Sequence, residues 1–94
     1  MKSGTTQMEI FNKYLEIKQD LVNNLQDLFI RQNFYTKKYR GNERTNINVA
    51  IDYTTEGNKM FRIFIQYGKW WIRDVMVYNS KGIISTEVKH NLND

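Results

Sequence analysis

Between Met8 and Phe29 the apolar residues recur at helical spacing. At about 100° per residue, Met8, Ile10, Phe11, Tyr14, Leu15, Ile17, Leu21, Val22, Leu25, Leu28 and Phe29 share roughly half the circumference. Asn12, Lys13, Glu16, Gln19, Asp20, Asn23, Asn24 and Asp27 take the other half. The pattern predicts one uninterrupted helix over 7–32, entered from a polar lead-in over 1–6. Thr5 or Thr6 is placed to cap it, with Glu9 at capping-box spacing from Thr6. Lys18 falls inside the apolar half. A lysine there ordinarily runs its stem along the packed face and keeps its ammonium in water; the sharper alternative is an ion pair with a carboxylate from elsewhere in the fold.

From Asn46 the period changes to two. Ile47, Val49, Ile51 and Tyr53 alternate with Asn46, Asn48, Ala50 and Asp52, which reads as a strand with one wet face. After a turn at Thr55–Asn58 comes the strongest signal in the chain, MFRIFIQYGKWWIRDVMVY over Met60–Tyr78. Its Gly68-Lys69 pair predicts a two-residue hairpin loop of type II′, because glycine comes first. That loop sets Tyr67 opposite Trp70, Ile65 opposite Ile72, Ile63 opposite Asp74 and Phe61 opposite Met76. A further turn at Asn79–Gly82 leads into a weaker edge strand, Ile83–Lys89, and a polar tail over 90–94.

The expected architecture is α+β in a single domain: one long N-terminal helix on a four-stranded antiparallel meander over 46–89, joined by a connector over 33–45. The element order resembles the helix gripped by a curved sheet in cystatin-like and nuclear-transport-factor-like folds. The resemblance stops at element order. The cystatin glutamine-x-valine-x-glycine hairpin and proline-tryptophan turn are missing, and the chain has no proline at all, so no function is carried over.

Charge changes the picture in one place. Arg31, Lys37, Lys38, Arg40 and Arg44 stand against Glu43 alone, so residues 31–45 hold as much excess charge as the whole chain, which nets +4. Phe34, Tyr35 and Tyr39 are interleaved, the mixture that single-strand nucleic-acid binders use. A solvated linker whose aromatics pack under the helix end explains the same residues.

Candidate chemistry is sparse. There is no cysteine, hence no disulfide or thiolate metal site, and one histidine, His90, at the end of the chain as the only base for Ser3, Ser80 or Ser85. Gly41, Gly57, Gly68 and Gly82 are isolated turn glycines rather than a phosphate-binding loop. No catalytic residue, cofactor or metal is therefore expected, nor is a membrane span. Asp74 is the carboxylate of interest. The hairpin register turns it toward the helix, where Lys18 also points, and the two then form a buried pair. The alternative, which carries slightly more weight at this level, is a bulge at Trp70-Trp71 that turns Asp74 out to solvent beside Arg62.

The reverse face of the hairpin is the main anomaly. Arg62, Phe64, Gln66, Trp71, Arg73, Val75 and Val77 lie on the side a single helix cannot cover, unless the connector or tail folds over them. Apolar patches rimmed by polar groups mark interaction surfaces, and Trp and Arg are enriched at binding hot spots. The expectation is a small, non-enzymatic, cytoplasmic protein-binding module, with a protein partner or a second copy on this face and the basic segment assisting. Its size and its Lys-, Asn-, Ile- and Tyr-rich composition suit a phage or mobile-element inhibitor or modulator of a host protein. The competing expectation is single-stranded DNA or RNA binding through residues 31–45 and the sheet face. A third is a small-molecule pocket lined by Tyr14, Lys18, Trp70 and Asp74.

Overall fold

The computed structural model describes residues 3–93, with side chains from Thr6 onward. Helix α1 spans Ser3–Asn23. It already runs through the expected lead-in, and Thr6 is a buried residue inside it rather than a cap; Thr5 has no described side chain.

The single helix expected over 7–32 is in fact broken, and Asn24 breaks it. Its side-chain Nδ2 donates to the Asp20 carbonyl at 2.7 Å and to Asp20 Oδ1 at 3.1 Å. That carbonyl is the one its own backbone N–H would take in a continuing helix. The N–H instead donates to Leu21 O at 3.1 Å, tightening the chain into a 3-10 turn over Leu25–Asp27. A second helix, α2, follows over Gln32–Lys38, where a connector was expected. The apolar spacing survives the break because a 3-10 turn keeps nearly the same residue spacing. Leu28 is fully buried although it lies in neither helix.

Four strands form one antiparallel sheet in the order β1-β2-β3-β4: Thr45–Tyr53, Lys59–Tyr67, Trp70–Asn79 and Gly82–Asn91. The central hairpin has the register read from its loop, with Tyr67 opposite Trp70, Ile65 opposite Ile72, Ile63 opposite Asp74 and Phe61 opposite Met76. Gly68 has φ +60°, while no described non-glycine residue has positive φ. Lys69 therefore leaves a II′-type loop and rules out I′, which needs positive φ at both positions.

No bulge interrupts the pairing at Trp70-Trp71; the irregularity lies at Val77/Tyr78, on the β4 side. β4 also runs beyond its expected end. His90 and Asn91 are paired with Ile72 and Trp71. Asn91 Nδ2 donates to Lys69 O at 3.1 Å, and Trp70 Nε1 donates to Asn93 O at 3.1 Å. The expected polar tail is thus tied down as far as Asn93, with Asp94 outside the described residues.

The core lies between layers. Ile10, Tyr14, Ile17, Leu21, Leu28 and Tyr35 meet Val49, Phe61, Ile63, Ile65, Ile72, Met76 and Tyr78. α1 packs on β2 and β3, and α2 packs on β1. β4 is left without a helix, and its side chains from Ile83 through His90 are all exposed.

Candidate functional site

Asp74 is completely buried, at 0 % exposure, on the helix side of β3. The strand pairing puts it there, and α1 supplies its partners from consecutive turns. Tyr14 Oη donates to Asp74 Oδ2 at 2.6 Å, and Lys18 Nζ stands 3.2 Å from the same oxygen. Lys18 also donates to Tyr14 Oη at 3.1 Å. From β4, Thr86 Oγ1 donates to Oδ1 at 2.9 Å. The outward-turned Asp74 is overturned, because regular pairing through Trp70-Trp71 leaves no extra residue to reverse the face.

Burial pushes the Tyr14 hydroxyl above its ordinary value, and its bond to Asp74 adds to the rise. Burial works against the charge on Lys18, but Tyr14 and Asp74 outweigh it and hold the ammonium above the usual lysine range. A buried carboxylate with partners on both oxygens joins α1 to β3 and β4.

The basic segment turns Tyr35 and Tyr39 inward, and two of its cations are paired. Asp20 accepts from Lys38 at 2.9 Å and from the Tyr39 hydroxyl. Asp27 accepts from Tyr35 Oη at 3.0 Å and pairs with Arg31 at 3.4 Å. Arg31 also lies over the Phe34 ring, 4.2 Å from its centroid. Two of the cations expected to reach a partner therefore hold α2 to α1 and to the turn between them. Lys37, Arg40 and Arg44 are exposed. Gly41 lets the chain turn tightly between the last two, since a Cβ there would stand 1.9 Å from the Thr45 carbonyl.

The reverse face of the sheet carries the residues expected there, and neither α2 nor the tail as far as Asn93 crosses it. Tyr35 of α2 and Leu92 of the tail belong with the core between helices and sheet. Across the strands run four rows: Asn46-Gln66-Trp71-Asn91, Asn48-Phe64-Arg73-Lys89, Ala50-Arg62-Val75-Glu87 and Asp52-Met60-Val77-Ser85. Phe64 and Trp71 lie with ring centroids 6.4 Å apart. They and Val75 and Val77 are half-buried by one another, whereas Arg62 and Arg73 are exposed. Among the described residues, Arg62 and Arg73 have no ion-pair partner.

Sequence reasoning missed a second surface. Met8, Phe11 and Leu15 on α1 are 65 %, 43 % and 44 % exposed. They continue through Lys18 to Val22 at alternating three- and four-residue steps, a stripe beside the one the sheet covers. The signal was present, since an apolar arc of half a circumference is wider than a single packed face requires.

Clefts of about 430 and 440 Å³ lie at opposite ends of the fold, one lined by Ile10, Arg40, Arg44 and Tyr67, the other by Asn24, Asn79 and Lys81. Neither is the expected pocket of Tyr14, Lys18, Trp70 and Asp74. Ser85 pairs with Val77 and His90 with Ile72, which places serine and histidine on opposite faces of the sheet. Among the described residues, no group of three or more His, Asp or Glu side chains could hold a metal ion, and no helix is long and apolar enough to cross a membrane. No protein-family model, curated protein or solved structure matches the chain.

Proposed function

We propose that this protein is a non-enzymatic protein-binding module that holds its partner against the reverse face of its sheet. The observation that carries the reading is the one-sided cover of that sheet. Both helices pack on the same side, leaving Phe64 and Trp71 in contact, with Arg62 and Arg73 exposed beside them and free of ion pairs among the described residues. Rigid aromatic area flanked by arginine is the composition of interface hot spots. A partner that presents carboxylates around an apolar centre complements it, and modulation of a larger protein by occlusion fits a chain of this size.

Site-directed photocrosslinking tests this. A photoreactive residue at Gln66, on the open face, should capture a partner in extracts of the source cells, and the same residue at Gln19 of α1 should not. Capture from Gln19 but not from Gln66 would place binding on the wrong side of the sheet.

A second reading, single-stranded nucleic-acid binding, is supported by the Arg73-Lys89 row beside two aromatic rings. It predicts that log affinity falls with log salt by about 0.7 per phosphate contact. Absence of binding at ~50 mM salt would remove it, because phosphate contacts are strongest there.

A further inference from the structure

Two residues whose side-chain donors have no acceptor among the described residues border one small cavity on the helix side, away from the open sheet face. The first is Tyr78, near the end of β3. The residue is 2 % exposed, its ring lies 6.0 Å from that of Phe61, and its Oη has no hydrogen-bond partner among the described residues. The second is Lys59, the first residue of β2 and the direct cross-strand partner of Tyr78. Lys59 is half-buried, with Nζ 5.5 Å from the centroid of the Phe29 ring, and among the described residues no carboxylate pairs with it.

Both residues border a cavity of about 160 Å³ together with Leu25, Gln26, Asn79 and Ser80. The cleft of about 440 Å³ shares those last four residues and adds Lys81 and Asn24. Asp27 also lines that larger cleft, and its Oδ2 accepts from Tyr35 and Arg31.

Burying a hydroxyl without a partner is unfavourable, and such groups are scarce in folded proteins. Here the orphaned hydroxyl belongs to a residue that borders the same cavity as half-buried Lys59, and a second cation, Lys81, lines the adjoining cleft. What would satisfy all of them is an acceptor that carries negative charge. Gln26 and Ser80 provide neutral groups able to donate to its remaining oxygens. We propose that this cavity is a binding site for a small oxyanion, a carboxylate or phosphate group that accepts from Tyr78 Oη and Lys59 Nζ.

The test is a titration of the full chain with inorganic phosphate and, separately, with acetate, at ionic strength held constant with chloride and followed by amide NMR. Saturable shifts at Lys59, Tyr78, Asn79 and Ser80 with either anion support the site, and the anion that saturates identifies the head group. Tyr78→Phe removes one oxygen atom and should weaken binding about tenfold or more, as expected for a hydrogen bond to a charged group. Its melting midpoint without anion should not fall, because the hydroxyl has no partner to lose. Lys59→Met should weaken binding comparably, while Lys69→Met, at the opposite end of the sheet, should not. Non-saturating shifts spread over all lysines, or equal affinity in Tyr78→Phe, would overturn the site. So would an unresponsive cavity whose hydroxyl is satisfied by water alone.

Discussion

At the scale of single residues, Asp74 illustrates how a charge can be sited in a core. Its carboxylate accepts from Tyr14 and Thr86 and faces Lys18, and Lys18 is 28 % exposed at its side chain, so only one end of the pair is fully desolvated. An amide in its place removes the charge facing Lys18 and turns one of the two acceptor oxygens into a donor against groups that donate. Asp74→Asn is therefore expected to cost about 2–3 kcal/mol in a urea titration. A loss below ~0.5 kcal/mol would be the behaviour of an exposed site and would contradict the network.

The tyrosines set the alkaline limit. Burial pushes the Tyr78 hydroxyl up to about 12, and Tyr14 is raised by burial and by Asp74. Below pH 10 both folded and unfolded chains keep these protons. Between pH 10 and about 12 the unfolded chain ionises while the folded chain resists, so stability falls across that window. Tyr78→Phe should lessen the fall, which urea midpoints at pH 9 and pH 11 would measure.

At the scale of elements, the helical layer is held together by acids on α1 and on the turn that follows it. Burial works against the charge on Asp20, but hydrogen bonds from Tyr39 and Lys38 prevail and keep its carboxyl below the ordinary value of 3.8. The stability it contributes is present above pH 3.8 and is lost as pH falls through the lower folded value. Asp20→Asn should therefore flatten the acid limb of the stability curve and speed amide exchange in α2, while exchange in β2 and β3 stays slow. Equal exchange rates in α2 of the two proteins would contradict the clamp.

The strands were legible in the sequence because period-two alternation and the Gly68-Lys69 loop fix the register together, and a one-residue slip would turn Ile63, Ile65 and Ile72 to solvent. The break at Asn24 was not legible from periodicity, since Leu25 and Leu28 stay in phase across it. Its cause is a side chain competing for a backbone carbonyl, a local effect that hydrophobic spacing does not register. The contacts within the basic aromatic segment were not legible for a similar reason. Lys38 and Tyr39 look like a nucleic-acid contact until Asp20, distant in sequence, is brought against them.

At the scale of the whole molecule, what matters is the asymmetry of cover. Two helices shield one side of β1, β2 and β3, β4 extends beyond them, and the other side of the sheet has no cover among the described residues. Which face would be core was readable from Ile63, Ile65 and Ile72. That β4 would lie outside the helical layer was not, because Ile83–Lys89 has the composition of any edge strand.

The asymmetry makes opposite predictions for neighbouring residues. Ile72→Lys places a charge in the core and should unfold the chain, whereas Trp71→Lys should leave the melting midpoint nearly unchanged. Retention of the crosslinked partner by folded Trp71→Lys is the most direct measurement of the proposed function. The open-face account predicts that retention is lost while the midpoint holds, and full retention by the folded variant would contradict it.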